Sequence, residues 1–286
     1  MPNKILITSD STTDLGPELL ERFNIKVLPL KVSLGENTYT DGVDVNPDKI
    51  YEHFKNTGEL PKTAAPNLQD CIDFFKEYTD MGYSIVHFTL SSEMSSSFNN
   101  ARLAAGEFEN VHVVDTQNLS TGGGLMVISA AKMAENGDDA SVIADKCRAL
   151  SKKIDASFVL SDLEYLHKGG RCSGIAAFGA NLLKLNPCIV VRNGKMDVSK
   201  KYRGKFLVVL KEYLSAMLAD KDDIETDMVF VTHAGVDPDI CNKCVAQVKE
   251  LLPFKDVFLT RAGCTISSHC GPNTLGVLFI RKSDVK

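Results

Sequence analysis

Short apolar runs alternate with amphipathic segments along the chain: KILITSD precedes DLGPELLERF, IKVLPLKV precedes PDKIYEHF, and SIVHFTL precedes FNNARLAAGEF. Short apolar runs read as buried strands, and the segments between them as helices that cover a sheet, so the expected class is α/β. Within NLQDCIDFFKEYTDMG the residues Leu68, Cys71, Ile72 and Phe75 form one helical stripe, with Asn67 placed to cap it and Gly82 to end it. VHVVD then leads through a polar loop into TGGGLMVISAAKMAENG, and DASVIADKCRALSKK reads as a further helix. From about Asp155 the texture changes. Extended runs flank Asn193-Gly194, the strongest short hairpin signal. The helix FLVVLKEYLSAML, the run MVFVTHAG, another helix, DVFLTRAG and the final strand TLGVLFIRK follow. A boundary near Lys153 divides the chain into an N-terminal α/β domain, residues 1–153, and a C-terminal α/β domain, residues 154–286.

Charge and cysteine usage exclude several functions. A formal charge of -5 with no basic run argues against a nucleic-acid surface. The start MPNKILITSDS enters a strand-like run with no leader-like apolar stretch, and no later stretch approaches a membrane span, so a cytoplasmic location is expected. The eight cysteines are scattered and read as reduced thiols. Cys241 and Cys244 form a C-x-x-C inside a helical pattern with no second pair, and no histidine spacing completes a ligand set, so no metal is expected.

The apolar runs repeatedly end in polar clusters, ITSDST, HFTLSS, HVVDTQ, VLSD, FVTHAG and FLTRAG. Ligands of α/β proteins sit outside the carboxyl ends of strands, which points to one shared crevice. The stretch LSSEMSSSFNNA, Leu90 to Ala101, adds five serines at a strand-to-helix junction. One or two can cap the helix; the remainder suit an anion such as a carboxylate or phosphate. Gly122-Gly123-Gly124 matches neither nucleotide-binding glycine motif and reads as close backbone packing. KTAAP and TISSHCGPNTLG read as loops, the latter carrying His269 among hydroxyls. No G-x-S-x-G elbow is present. These residues leave two classes open, a binding protein and a hydrolase or transferase acting on a small phosphorylated or carboxylated substrate in the crevice.

Taken in order, SDSTTDL, KTAAP, LSSEMSSSFNNA, VVDTQNLSTGGG, LEYLHKGGRCSG, NGK followed by YRGK, and SSHCGPNTLG resemble the successive motifs of the DegV family, over nearly the whole chain. The resemblance implies two α/β domains with a lipid-binding tunnel between them. It implies a bound long-chain fatty acid, no other cofactor, and no complete active site in this chain. A separate, ATP-using fatty acid kinase subunit is the implied partner, to which the acyl carboxylate is presented for acyl-phosphate formation; transient membrane contact is compatible with that role. By motif, Thr63 and Ser92 hold the carboxylate with His269 nearby, and Ser95 and Ser97 cap the helix or support that shell. Arg171 and Arg203 match arginines associated with phosphoryl transfer and kinase contact. The chain departs from the family pattern at Ala64, where Ser is usual, at Ser96, where Gly is usual, and at LNPCI, where LKPI is more usual.

Overall fold

The computed structural model describes residues 4–161, 163–172 and 185–285. Asp162 of the predicted VLSD cluster, and Ser173 and Gly174 of LEYLHKGGRCSG, lie outside the described residues.

The alternating pattern folds as an α/β structure with three sheets among the described residues. The first is parallel, in the order β2 (Lys26–Leu28), β1 (Lys4–Asp10), β6 (Tyr83–Thr89), β7 (Val111–Asp115). The second is mixed, in the order β10 (Lys195–Tyr202), β9 (Asn186–Arg192), β8 (Ile154–Leu160), β13 (Thr274–Arg281), β11 (Ile224–Ala234), β12 (Asp256–Arg261). Only β11 and β12 run parallel in it. The third is small and antiparallel, β4 (Asn37–Thr40), β3 (Lys31–Leu34), β5 (Lys62–Ala64).

Helices α1 (Pro17–Arg22), α3 (Leu68–Asp80), α4 (Ser97–Ala105) and α6 (Ala140–Leu150) accompany the parallel sheet, while α8 (Phe206–Met217) and α9 (Pro238–Leu251) accompany the mixed one. α2 (Pro47–Thr57), α7 (Glu164–Gly169) and α10 (Cys264–Cys270) pack together beside the small sheet. Local signals explain several of these elements. Asn67 and Asp70 form a reciprocal capping box on α3. Asn193 (φ 50°) and Gly194 (φ 76°) supply the two positive φ values of a tight hairpin turn between β9 and β10.

The central element is α5 (Thr121–Glu135), in which every residue from Thr121 to Ile128 is buried. A helix apolar on all sides must be covered on all sides. Ile7, Val86 and Phe88 of the parallel sheet and Ala156, Phe158 and Leu278 of the mixed sheet share one core with it. The glycine run permits this approach: a Cβ on Gly124 would fall 2.8 Å from Leu15 Cδ2 and 3.0 Å from the Thr13 carbonyl oxygen, whereas one on Gly123 would meet nothing closer than 3.4 Å.

Three segments differ from the sequence reading. IKVLPLKV is two strands in two sheets, because Pro29 has no N–H to continue the ladder. KTAAP carries an edge strand, β5, with Thr63 paired to Val32 of β3. His269 lies in the last turn of α10 and not in a loop. That helix has no side-chain cap of its own in the sequence beside it. Cys241 and Cys244 lie within α9, as the helical pattern around them predicts; both are buried, and burial pushes their thiols up to about 11 and about 12.

The glycine contacts yield a paired expectation. Gly124→Ala destabilises the fold by about 1–3 kcal/mol through overpacking, while Gly123→Ala is neutral or stabilises by up to about 1 kcal/mol through helix propensity. Urea unfolding of the two variants beside the parent distinguishes them, and equal effects would remove close packing as the reason for the glycines.

Candidate functional site

The strand ends of the parallel sheet, the start of α5 and the α7–α10 pair enclose a cavity of about 320 Å³. Its apolar lining includes Leu30, Leu90, Met94, Leu119, Leu166 and Met196. Its polar lining is Thr63, Ser95, Ser96, Thr265, His269 and Arg171. Shared residues give the cavity a direction. Thr63, Arg171 and His269 also line an open groove with Lys62 and Lys168, so they mark the outer end. Leu119, Ile266 and Cys270 also line a smaller adjoining cavity with Phe158, Ala262 and Leu278, so they mark the inner end.

At the outer end Thr63 Oγ1 and His269 Nε2 are 2.9 Å apart, joining an edge strand to a helix 206 positions away. Burial pushes the His269 imidazole down to about 4, with Arg171's charge acting the same way, so the ring is neutral at ordinary pH. Nδ1 is buried without a hydrogen-bond partner among the described residues and faces Gly169, where a Cβ would come within 2.8 Å of it. The ring proton therefore belongs on Nε2, where Thr63 Oγ1 accepts it. That leaves the Thr63 hydroxyl hydrogen free to donate into the cavity.

The five serines divide their tasks. Ser91 Oγ donates to the Gly194 carbonyl at 2.7 Å and ties the loop to the β9–β10 hairpin. Ser95 Oγ accepts from the Ser97 N–H at 3.1 Å, at the start of α4, and its oxygen lies 2.9 Å from Ser97 Oγ. Ser95 and Ser96 line the cavity. Ser92 is not brought to it: the residue is exposed, and its N–H donates to the Asp115 carboxylate at 3.2 Å. The cause is a turn in which the N–H groups of Met94 and Ser95 both reach the Ser91 carbonyl, leaving Ser92 and Glu93 on its outer crest. Arg171 is exposed at the cavity's outer end, donating to the Gly169 carbonyl at 2.7 Å. Arg203, exposed after β10, lies outside the lining.

Sequence reasoning missed the carboxylates behind this cavity. Asp41 accepts from the N–H groups of Cys264 (2.8 Å) and Thr265 (3.1 Å), from Thr265 Oγ1 (2.6 Å) and from Ser11 Oγ (3.1 Å). Asp14 accepts from the Gly263 N–H at 2.7 Å. Together they satisfy the N-terminal donors of α10 from the other half of the chain. Asp10 takes the Leu90 N–H at 2.8 Å, fixing the entry to the Ser-rich loop. Ser120, hydrogen-bonded to Asp14, holds φ 51° and ψ −145°, a conformation that costs a non-glycine residue about 1–3 kcal/mol. SDSTTDL carries two of these carboxylates; nothing around Asp41 in the sequence marks it.

Among the described residues no cluster of His, Cys, Asp or Glu could hold a metal ion, and no helix is long and apolar enough to cross a membrane.

Comparison with known proteins places this geometry in context. A family model described as an uncharacterised protein of the DegV family matches residues 4–282. DegV domain-containing proteins of Clostridium acetobutylicum and Clostridium perfringens are 30% and 28% identical, each over 98% of this chain and 99% of its own. A solved structure described as fatty acid binding of a DegV family protein from Thermus thermophilus matches with a TM-score of 0.89 at 28% identity, covering 97% of this chain and 99% of that one. A stearic acid-binding protein from Eubacterium ventriosum matches with a TM-score of 0.84 at 27% identity, covering 97% and 98%.

The docking of α10 is open to measurement. Asp41→Ala strands buried N–H donors and lowers unfolding stability by about 2–3 kcal/mol. A loss below about 0.5 kcal/mol in chemical denaturation, the level of an ordinary surface change, would show that α10 is held by packing alone.

Proposed function

The chain belongs to the DegV family, and on that basis we propose that it binds a long-chain fatty acid in the cavity, carboxylate outward and hydrocarbon inward. The observation that carries this reading is the cavity's polarity: hydroxyls and a neutral imidazole at the outer end, aliphatic side chains within. Thr63 and Ser95 are the hydroxyls that donate to the carboxylate, and His269 orients Thr63 by donating to it. Ser92, expected from the motif, is replaced by Ser95 in this assignment because only the latter lines the cavity. The cavity lies at the seam proposed between residues 1–153 and 154–286, with Thr63 and Ser95 from one side and Met196 and His269 from the other.

The same geometry favours binding over catalysis by this chain alone. An imidazole held at about 4 is a poor general base for activating a hydroxyl near neutrality. A carboxylate at the outer end is instead accessible to chemistry supplied from outside, and we read the chain as the subunit that presents it to a separate ATP-using fatty acid kinase. Arg171, shared by the cavity and the open groove, is the residue assigned to the transferred phosphoryl group; Arg203 is assigned to contact with that subunit.

Titration with a fluorescent long-chain fatty acid tests the reading. Thr63→Val and Ser95→Ala each weaken binding by about 1–3 kcal/mol, the order of a lost hydrogen bond to a charged group, with the fold intact by circular dichroism. Unchanged affinity in the double variant moves the carboxylate elsewhere, and absence of binding by the parent protein ends the lipid assignment.

The kinase assignment has its own test. With ATP and a cognate kinase subunit, Arg171→Ala lowers acyl-phosphate formation at least about tenfold more than it lowers fatty-acid affinity, and lysine restores it only in part because it lacks the planar fork that suits phosphate. Formation at the parental rate would return Arg171 to the status of a solvated loop charge.

A further inference from the structure

Asp10, Asp14 and Asp41 are all buried, yet they are unequally supplied with donors. Asp41 accepts four hydrogen bonds, two from backbone and two from hydroxyls. Asp10 accepts three, from the N–H and hydroxyl of Thr12 and from the Leu90 N–H. For Asp10 these donors work against the burial that raises its carboxyl to about 6. For Asp14 the described residues supply the Gly263 N–H on Oδ1 and the Ser120 hydroxyl on Oδ2. The second contact serves equally well with the hydrogen on the carboxyl and Ser120 Oγ as acceptor.

The surroundings of Asp14 disfavour a charge. Its carboxyl oxygen and those of Asp41 converge on Gly263, where a Cβ would stand 3.1 Å from Asp14 Oδ1 and 3.5 Å from Asp41 Oδ1. Its charged neighbours, Asp41 from the loop after β4 and Asp10 from the end of β1, are both acidic. From α10 come the thiols of Cys264 and Cys270; burial, with Asp14 adding in the same direction, pushes both up to about 12, so they stay neutral. The start of α5 presents Ser120. Burial, with the two neighbouring carboxylates, pushes the Asp14 carboxyl up to about 8.

Ser120 connects this group to the cavity. It lines the smaller inner cavity beside Leu119, Ile266 and Cys270, the residues shared with the main one. Asp14 thus stands one hydrogen bond behind the inner wall and, through Gly263, at the start of the helix that carries His269. On the fatty-acid reading of the cavity, we propose that Asp14 is a positioning residue held as the neutral acid, which clamps Ser120 and Gly263 together, and that loss of its proton weakens lipid binding. Ionisation places a new charge beside Asp41 and behind an apolar wall, with nothing of opposite sign from the elements named. A carboxyl whose folded value lies above the ordinary 3.8 contributes stability that is complete at low pH and lost as pH rises through about 8. Asp10, raised to about 6, acts in a lower window.

The test compares the parent with Asp14→Asn, whose amide keeps the acceptor for Gly263, can donate to Ser120, and cannot ionise. The readout is the ratio of fluorescent fatty-acid affinities at pH 7 and pH 9. The parent is expected to lose about tenfold across that interval, one decade per unit above the titration point, while the Asn variant shows a ratio near one; equal ratios overturn the proposal. Carboxyl carbon-13 NMR of ligand-free parent protein labelled at aspartate needs no variant. One aspartate titrating near pH 8 is expected, and titration of every aspartate below pH 7 overturns the proposal. This second measurement also separates the two readings: a protein that binds no fatty acid fails the lipid assignment, while the carboxyl titration still decides the state of Asp14.

Discussion

Two buried aspartates, Asp14 and Asp41, meet the first N–H groups of α10, and the cavity depends on that docking. α10 spans Cys264–Cys270, too short to persist as an isolated helix in water. Its N-terminal donors are satisfied by side chains more than 220 residues earlier in the chain. Side chains from the other half of the chain thus do for this helix what a local cap does elsewhere. Thr265, Ile266, His269 and Cys270, which supply polar and apolar wall alike, are all on that helix. The same carboxylate group reaches the other walls: Asp10 holds the Leu90 N–H, and Ser11, bonded to Asp41, accepts the Leu30 N–H.

On the fatty-acid reading, the two ends of the cavity do different work, and magnitudes assign it. Each buried methylene contributes about 0.8 kcal/mol, so an acyl chain gains most of its affinity inside. A hydrogen bond from a hydroxyl to the carboxylate adds about 1.5–3 kcal/mol, comparable to a few methylenes. Affinity then belongs to Leu30, Leu119, Met196 and their neighbours, and orientation to Thr63, Ser95 and His269. A charged histidine at the outer end would also attract a carboxylate. A neutral one keeps Thr63 as a donor without placing a buried charge in the empty cavity, where its desolvation would be uncompensated.

Legibility in the sequence followed the range of the interactions. α3 announces itself through Asn67 and Asp70, three residues apart, and the β9–β10 turn through adjacent Asn193 and Gly194. The strand, loop and helix read in VHVVD and TGGGLMVISAAKMAENG likewise locate β7 and α5. α10 was illegible because its caps are remote, and β5 because three residues carry no period and its partner strand lies 30 positions away. Ser92 and Ser95 could not be separated by motif: a backbone turn accepting at Ser91 decides which of them faces inward. The family resemblance singled out Thr63 and His269 separately, while their 2.9 Å contact required the fold.

The cavity walls are also held by unlike means, and this bears on how a ligand enters. The inner wall is continuous with the core, since Leu119 and Ile266 pack in the same cluster as Phe88 and Leu125. The outer end is assembled from separate pieces: Thr63 on an edge strand, His269 on the last turn of a short helix, Arg171 beyond the end of α7. Thr63 bonds His269 there, and the exposed Arg171 bonds only locally, to the Gly169 carbonyl, among the contacts described. Local opening follows regions with few buried apolar contacts and exposed hydrogen bonds. On the fatty-acid reading, an outer end that opens at lower cost than the inner wall lets the ligand enter methyl first, its carboxylate completing the hydrogen bonding last. On the proposed reading, entry in that order leaves the carboxylate beside Arg171 and the open groove, where presentation to a separate subunit would need it.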